Sequence, residues 1–423
     1  MLGTLSRAES QVFNIPELPS RDAFYTPDAS DWADNKLGTI LDYRQVNIDL
    51  STTSSDIIDY DAFQLLYVTS DLNLQKTTSV TTIIIPQGAN TSRILSHQLA
   101  YDAPDVNCSP SYGIQPGANA GALPFTRDLM GLISEILEDD HPPVLNIPDY
   151  EGSNAAFTVG PQSGYQTLDS LRAATASGWI TSIEADAEIA VFGYSGGGYA
   201  SEWAVELHRD YAEDVNIIGA ALGGLPTNIL TTYQNMIGLF SPLNVWAMLG
   251  MMNAFPHMNQ WMEEDLKPER LEQFNGPRQR CSEPEVPPAP IQPNDDVNSW
   301  FEHGDYFLTK FEPEITEIGI MGRHISTATA PKYPLYIFRG GLDVLTSPHE
   351  DTVALKEKFC REGTSVTFVL WPFHTHVPAS EAGSPYAMKW VRKVFEVAAY
   401  DPKLDYLFDG ESDIIIAVLD IDC

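Results

Sequence analysis

The sequence predicts an α/β fold in which a mostly parallel sheet carries helices on both faces and is interrupted by a large, mostly helical insertion. β-rich runs alternate with amphipathic stretches from residue 77 to residue 224. The same alternation resumes at residue 333 and continues to residue 398. Because repeated strand–helix pairs are typical of βαβ units, both stretches are expected to build one sheet, and the interval between them is an insertion.

The first stretch divides into runs of two periodicities. β-branched and apolar runs that end in turn residues predict strands, and stretches with apolar residues at helical spacing predict helices. The predicted strands cover residues 77–86, 93–101, 143–152, 187–195 and 215–224, and the predicted helices cover 125–140, 164–178 and 197–212.

The alternation stops over residues 228–326. This interval contains Met-rich helical stretches, such as residues 242–255, and a proline-rich loop at 282–293. The loop is either a polyproline ligand or a plain connection. Strands at 333–341 and 364–373 and helices at 349–362 and 384–398 follow. We therefore divide the chain into an N-terminal arm (1–55), a core in two parts (56–227 and 327–423) and an inserted cap (228–326).

The composition excludes several classes of function. The chain has 423 residues, 58 acidic and 24 basic, and a formal charge of −34. This charge repels phosphate backbones, so nucleic acid is excluded as a partner, and anionic membranes are disfavoured. No stretch approaches the roughly 18–20 apolar residues of a membrane span. We expect a monomer without stable membrane insertion, whose contact with a lipid interface is transient.

The N-terminus, the cysteines and two sequons bear on whether the protein is exported, and together they favour export. The N-terminus lacks the continuous apolar core of a signal peptide, so the chain is either intracellular or a mature form with an added start Met. The four cysteines are an even number, and their three possible pairings stay open at this point. Asn90 and Asn107 begin sequons, which make them candidates for N-glycosylation in a secreted protein.

Residues 193–197, Gly193-Tyr194-Ser195-Gly196-Gly197, match the G-x-S-x-G pattern of a nucleophile elbow. The pattern lies where a predicted strand ends and a predicted helix begins, which is the context that the elbow requires. Glycines are needed there because larger side chains would clash in so tight a turn. The alternative is a glycine-rich corner with a purely structural role.

A nucleophilic serine needs a base and a carboxylate that orients the base, which in this fold follow the serine in the order acid, then histidine. Asp343 follows the first strand after the insertion, as the acid should, although an ordinary turn aspartate is the alternative. His374 and His376 follow the next strand, and spacing alone does not separate them. Two histidines at i and i+2 also allow a metal site, but no third ligand cluster lies nearby and HExxH is absent. We expect no metal and no cofactor.

With these motifs assembled, the sequence resembles the fungal secretory lipase family, which includes Candida antarctica lipase A. The resemblance covers nearly the whole chain and rests on blocks in the order of that family. The blocks are AFQLLYVTSD with SVTTIIIP, YDAPDVNCSPSY, PDYEGSNAAF, VFGYSGG and VNIIGAALGG. The second and third are the specific ones, because many hydrolases share GYSGG.

The resemblance implies an α/β-hydrolase fold and several residue roles. Ser195, Asp343 and His376 would form a catalytic triad, with His374 a neighbour outside it. Asp102 and Gly196 would line the oxyanion hole, where Asp102 has to donate through its backbone N–H or a protonated side chain. Alternatively, Asp102 caps a turn before Pro104.

The resemblance also implies two disulfides, Cys108–Cys281 and Cys360–Cys423. The sequence therefore predicts a serine-dependent lipase or carboxylesterase that hydrolyses acylglycerols or related esters through an acyl-serine. The alternatives are an acyltransferase or short-acyl acetylesterase with the same triad, a peptidase or amidase, and a non-catalytic binding module with a hydrolase fold.

The cap is the candidate for an acyl-binding wall. Its large apolar residues include methionines, which are flexible enough to accommodate acyl chains of different length. The alternative is that these residues only bury the cap against the core. The candidates are Trp246, Met248, Met251, Met252, Phe255 and Trp261.

Overall fold

The computed structural model describes residues 15–49, 59–118, 140–238, 240–279, 281, 291–292, 295–396 and 418–421. The described residues form one sheet of ten strands in the order β1-β2-β3-β5-β4-β6-β7-β8-β9-β10. The strands are β1 (Ile40–Gln45), β2 (Tyr60–Ser70), β3 (Lys76–Pro86), β4 (Asn90–Gln98), β5 (Pro143–Pro148), β6 (Glu188–Tyr194), β7 (Ile217–Gly223), β8 (Leu335–Gly340), β9 (Val366–Trp371) and β10 (Val418–Ile421).

The centre of the sheet is parallel and its edges are antiparallel. Strands β5, β4, β6, β7, β8 and β9 pair in parallel, in that spatial order. Strands β1, β2 and β3 and, at the far edge, β10 pair antiparallel with their neighbours. The central strands β5 and β8 are buried along their whole length, as expected for parallel strands covered on both faces. The prediction of a mostly parallel sheet is confirmed.

Twelve α-helices lie in the described part of the chain. They are α1 (Pro110–Gly113), α2 (Gly160–Ala176), α3 (Gly178–Thr181), α4 (Gly196–Tyr211), α5 (Ile229–Met236), α6 (Ser241–Ala254), α7 (Pro256–Asp265), α8 (Leu271–Asn275), α9 (Tyr306–Lys310), α10 (Glu312–Gly319), α11 (His349–Arg361) and α12 (His376–Glu396). The helix predicted over 125–140 lies outside the described residues except for its last residue.

One predicted helix starts too late in the chain. The sequence predicts it over 384–398, whereas α12 begins at His376 and contains Pro385 in its interior. The Ser-Pro pair at 384–385 is typical of a helix start, since proline lacks the N–H that an interior position donates. The buried face of α12, which includes Met388, Trp390 and Val394, packs on the sheet and compensates for that lost hydrogen bond.

The core has two layers, one on each face of the sheet. Helices α2, α4 and α11 contribute to one layer, with Leu171, Trp203 and Phe359 among its buried members. Helix α12 contributes to the opposite layer, with Trp390. Residues alternate between the layers along β8, where Ile337 faces the first and its neighbours face the second. This arrangement brings the carboxyl ends of the parallel strands to one edge of the sheet.

The segment between β7 and β8 is helical and has its own apolar cluster. Helices α5 to α10 all lie in this segment. Its cluster also includes Ala156 and Val159, which follow β5 in the chain. The insertion therefore packs directly on the segment that follows β5. The proline-rich loop at 282–293 lies almost wholly outside the described residues.

A disulfide joins Cys108, in the loop after β4, to Cys281 in the insertion, with the two Cα atoms 5.1 Å apart. This pairing agrees with the one that the resemblance implies. The second implied pair includes Cys423, which lies outside the described residues, so Cys360–Cys423 stays a prediction.

Both sequon asparagines are partly buried. The side-chain oxygen of Asn90 accepts a hydrogen bond from Ser92 N at 3.0 Å, and that of Asn107 accepts one from Ser20 N at 3.0 Å. Glycosylation at either asparagine stays a prediction.

Candidate active site

Ser195 occupies a sharp turn between β6 and α4. Its backbone has φ 57° and ψ −124°, a region that L-residues rarely adopt. A Cβ on Gly193 would clash with the carbonyl oxygen of Gly197, and a Cβ on Gly197 would clash with the carbonyl oxygen of Gln98. The glycines of the motif are therefore required by close backbone approach. The turn raises the Ser195 side chain above the edge where the parallel strands end.

A chain of hydrogen bonds joins the three residues that the sequence predicts as serine, base and acid. His376 Nε2 lies 2.8 Å from Ser195 Oγ, and His376 Nδ1 lies 2.7 Å from Asp343 Oδ2. Asp343 lies in the loop after β8, and His376 is the first residue of α12, just after β9. Residues 181 and 33 positions apart meet because neighbouring parallel strands end at the same edge of the sheet.

Asp343 is held as an ionised acceptor. Its side chain is buried, and it accepts from Leu345 N at 2.9 Å and from Thr346 Oγ1 at 3.0 Å besides His376. Burial opposes ionisation, but the hydrogen bond and charge of His376, together with the Leu345 N–H, outweigh it and lower the pKa of Asp343. Thr346 was not predicted, although an Asp followed by Thr three residues later is a common side-chain turn pattern.

The structure separates the two candidate histidines. The ring of His374 packs edge-on against Trp371 at 5.5 Å, and its carbonyl accepts from Leu342 N at 3.0 Å. The carbonyl of His376 accepts from the Tyr194 hydroxyl at 2.6 Å, and the two rings lie 5.0 Å apart. Tyr194 thus ties the histidine backbone to the serine turn. Sequence reasoning missed this contact because the x position of the motif carries no signal for it.

Asp102 lies against the start of α4. Its φ of 43° is in the left-handed region, and its carboxyl group packs so closely on Gly196 that any Cβ there would clash with Oδ1. Gly196 is the first residue of α4, so its N–H has no partner within the helix. Behind Asp102, burial and then the charge of Asp102 raise the pKa of Glu151 well above its ordinary value.

An apolar pocket opens at Ser195. It encloses about 750 Å³ of empty space, part of it open to solvent. The pocket extends from Ser195 between helices of the insertion and the loop after Asp343. Its walls are formed by Asp102, Phe157, Thr158, Ser195, Gly196, Tyr199, Pro226, Ile229, Leu230, Thr232, Tyr233, Met236, Leu243, Asn244, Ala247, Met251, Phe307, Leu308, Ile315, Leu345 and Thr346.

Of the six residues predicted to contact an acyl chain, Met251 lies in this wall. The structure does not place Trp246, Met248, Met252, Phe255 and Trp261 there. Met248 and Met252 are buried in the apolar cluster of the insertion, with Phe255 and Trp261 packed against it. Trp246 is buried as well. For these five residues, contact with an acyl chain and burial of the cap against the core both stay predictions.

Comparison with known proteins identifies the family. A sequence profile described as secretory lipase matches residues 126–400. The chain belongs to the secretory lipase family. The α/β-hydrolase fold and the resemblance stated from sequence are thereby confirmed.

Individual relatives align with most of the chain. Lipase A of Arthroderma benhamiae is 34% identical over 385 residues, which are 90% of this chain and 80% of that protein. The trichothecene C-3 esterase of Fusarium sporotrichioides is 31% identical over 417 residues, 93% of this chain and 87% of that protein. The closed state of Candida antarctica lipase A matches with a TM-score of 0.81 and 25% identity, over 92% of this chain and 89% of that one.

These relatives are lipases and an esterase, and this chain is accordingly a carboxylic ester hydrolase. The prediction of that enzyme class is confirmed. In the part of the chain that the structure describes, every helix is too short or too polar to cross a bilayer.

Proposed function

We propose that this secretory lipase hydrolyses carboxylic esters through an acyl-serine, with Ser195 as nucleophile, His376 as base and Asp343 as the orienting acid. The observation that carries the proposal is the unbroken hydrogen-bonded chain from Ser195 Oγ through both ring nitrogens of His376 to Asp343. A serine hydroxyl becomes nucleophilic when a neighbouring base takes its proton. The carboxylate favours the tautomer that leaves Nε2 free to accept it.

The reaction proceeds in two halves. Ser195 Oγ attacks the carbonyl carbon while His376 Nε2 takes the hydroxyl proton, and a tetrahedral oxyanion forms. The oxyanion collapses, the bond to the alcohol oxygen breaks, and His376 gives its proton to the departing alcohol. Water then attacks the acyl-serine carbonyl while His376 Nε2 takes a water proton. The bond from the acyl carbon to Ser195 Oγ breaks, the carboxylic acid departs, and His376 returns the proton to Ser195. An alcohol in place of water would make the enzyme an acyltransferase.

Gly196, through its backbone N–H, and Asp102 are proposed to stabilise the oxyanion. The packing of the Asp102 carboxyl on Gly196 supports this assignment, because both residues line the pocket at Ser195. An ionised carboxyl aimed at the oxyanion would repel it, so the donor from Asp102 is its N–H or a protonated side chain.

We propose that residues 228–326 form a cap and that the pocket between cap and core binds the acyl chain of a lipid ester. Helices α5, α6, α9 and α10 contribute more than half of the wall residues named above, and most of these are apolar. Each methylene that enters such a pocket contributes up to about 0.8 kcal/mol to transition-state binding. For the wild-type enzyme, kcat/KM on p-nitrophenyl esters should therefore rise with acyl length until the pocket is full. A flat profile from acetate to octanoate would support the short-acyl esterase instead.

Replacing Met251 with tryptophan should shorten the preferred acyl chain. Met251 lies in the pocket wall, and a larger ring there removes volume that the distal methylenes need. We expect kcat/KM for octanoate to fall by about 10-fold or more, while acetate changes by less than about threefold. Met252→Leu is the matched control, because Met252 is buried in the cap cluster, and its profile should follow the wild type. Equal losses on both esters would contradict an acyl-binding role.

The mouth of the site supports a transient contact with lipid. Among the described residues, eleven large apolar side chains are exposed, and five of these lie on three segments beside the site. The segments 236–242, 341–348 and 372–378 contain one Asp, Glu, Lys or Arg residue, the buried Asp343, in a chain that is 19% charged. The five residues, named here the apolar rim, are Ile237, Leu342, Val344, Phe373 and Val377.

The rim is proposed to touch an uncharged lipid surface, because a chain of formal charge −34 is repelled by an anionic one. In the inactive Ser195→Ala background, adding Leu342→Ser and Phe373→Ser should reduce the fraction that floats with phosphatidylcholine-coated triacylglycerol droplets by about 10-fold. Trp179→Ser is the matched control, since Trp179 is 69% exposed and lies on α3. Equal binding by the Leu342→Ser and Phe373→Ser variant and by the Trp179→Ser control would contradict this role. Stronger binding to anionic droplets than to phosphatidylcholine-coated ones would also contradict it.

We also propose that the protein is exported from the cell. The Cys108–Cys281 disulfide and the family itself support an oxidising, extracellular destination. Recovery of the native protein solely from cells, with both cysteines reduced, would contradict it.

A further inference from the structure

Arg339 is a buried arginine at the end of β8, and its surroundings are unusual for a cation. The residue is 1% exposed, and it lies four positions before Asp343. None of the hydrogen bonds and ion pairs that the structure describes for its guanidinium is with a carboxylate oxygen. Buried charges are normally paired, because transfer of an unpaired ion from water is costly.

The acceptors of the guanidinium belong to the loop that carries Asp343. Its Nε donates to the Gly340 carbonyl at 3.2 Å, where the loop begins. Its Nη1 donates to the carbonyls of Ser347 at 3.0 Å and Pro348 at 3.2 Å, where the loop ends. The planar group therefore lies inside the loop and ties its two ends together.

Two further contacts connect the guanidinium to the acid and to the next helix. Nη2 lies 3.5 Å from the carbonyl oxygen of Asp343 itself, and Nη1 donates to Thr352 Oγ1, on α11, at 2.8 Å. A guanidinium presents five N–H donors in one rigid plane, which is why it can bind several carbonyls at fixed positions. By binding these carbonyls, Arg339 fixes the backbone of the loop that carries Asp343, and that backbone sets the direction of the Asp343 carboxyl group.

We propose that Arg339 is a positioning residue for ester hydrolysis: its guanidinium fixes the loop that presents Asp343 to His376 and keeps a positive charge beneath that carboxylate. The inference rests on the proposed function, since it assigns a role to Arg339 through Asp343. The positive charge favours the ionised form of Asp343. Because like charges repel, the same charge also opposes the uptake of a proton by the Asp343–His376 pair as a whole.

Other titratable groups near the guanidinium have their own contacts, and none of those described here forms an ion pair with it. Tyr194 faces it from β6, and its hydroxyl donates to the His376 carbonyl. On α11, Glu350 and Asp351 lie in the first turn, and Asp351 accepts from Thr231 Oγ1 at 2.8 Å. His349 is the remaining group, and burial followed by the charge of Arg339 lowers its pKa, which favours the neutral ring.

The test compares Arg339→Met with Arg339→Lys on a soluble p-nitrophenyl ester. Methionine keeps the apolar stem but removes the planar set of N–H donors, called here the fork, and the charge. With the loop no longer fixed, kcat should fall by about 10²–10³-fold, and KM should change by less than about threefold. The acid limb of the kcat/KM profile should move to higher pH by about half a unit or more. Lysine keeps the charge without the fork, so the limb should stay in place while kcat falls by about 10-fold.

Arg278→Met is the matched control. The Arg278 guanidinium also binds neutral oxygens, those of the Asn253, Asn259 and Asn275 side chains, and lies in the insertion. Its loss should lower the unfolding temperature without moving the acid limb. A folded Arg339→Met enzyme with the wild-type acid limb would overturn the inference, even if its kcat were reduced.

The lysine variant decides the matter if Arg339→Met does not fold. Wild-type kcat in Arg339→Lys would then overturn the fixing of the loop, because lysine cannot bind both of its ends. These outcomes differ from failure of the proposed function, which would appear as ester turnover that persists without Ser195.

Discussion

Replacing Ser195 with alanine is expected to lower kcat on a soluble ester by about 10⁴–10⁶-fold while the protein stays folded. Ser195 Oγ is the atom within 2.8 Å of His376 Nε2, and alanine removes it. The turn at Ser195 is expected to survive loss of the hydroxyl, since the neighbouring Gly193 and Gly197 pack closely against backbone carbonyls that the substitution leaves in place. A residual rate should remain, because substrate binding and the oxyanion donors are intact.

The measurement is kcat on p-nitrophenyl butyrate, together with labelling by a fluorophosphonate probe. Wild-type enzyme should be labelled on the peptide that contains Ser195, and the variant should not be labelled. Ser163→Ala is the matched control, since Ser163 is a buried serine on α2 whose hydroxyl donates only to the helix carbonyl of Val159 among the described contacts. Loss of less than about 100-fold in folded Ser195→Ala would exclude Ser195 as the nucleophile.

The sheet and the elbow could be predicted because their physical requirements leave marks on the sequence. Central strands buried on both faces read as continuous apolar runs, and the elbow requires glycine at positions where any Cβ would clash. Asp343 and His376 could be placed at the same edge because each follows a strand of a parallel sheet. The choice between His374 and His376 required the family resemblance, because both follow the same strand.

The pocket wall could not be predicted because α6 is apolar on nearly every side. Residues 243, 244, 247 and 251 border the pocket, and residues 245, 248, 249, 251 and 252 belong to the apolar cluster of this segment. Both sets have helical spacing and apolar members, so periodicity alone does not tell which one faces a substrate. Met251 and Met252 are adjacent in sequence and both belong to this cluster, but of the two Met251 is the one that also borders the pocket.

Arg339 has no sequence signature for a different reason. Its partners are mainly backbone carbonyls of the loop from Gly340 to Pro348, and every residue has a carbonyl. A single arginine within an apolar strand is therefore indistinguishable in sequence from one that reaches solvent at the strand end. The side chain becomes informative when the path of the loop is known.

Replacing His376 with alanine is expected to lower kcat by about 10⁴–10⁶-fold, and replacing His374 with alanine by less than about 10-fold. The two residues differ by two positions, so the pair is its own matched control. His376 contacts both Ser195 Oγ and the Asp343 carboxylate, and its removal leaves the hydroxyl without a proton acceptor. His374 packs on Trp371, and its backbone contact to Leu342 survives the substitution.

The pH profile separates loss of the base from general damage at this loop. For the wild type, kcat/KM should fall on the acid side as the base becomes protonated, and His374→Ala should keep that limb. The residual activity of His376→Ala should lose it, because no titrating base remains on Ser195. Thermal unfolding of both variants checks that α12, which begins at His376, is intact. An inactive His374→Ala enzyme beside an active His376→Ala enzyme would reverse the assignment. The loop after β9 would then have to shift by two residues so that His374, in place of His376, faces Asp343.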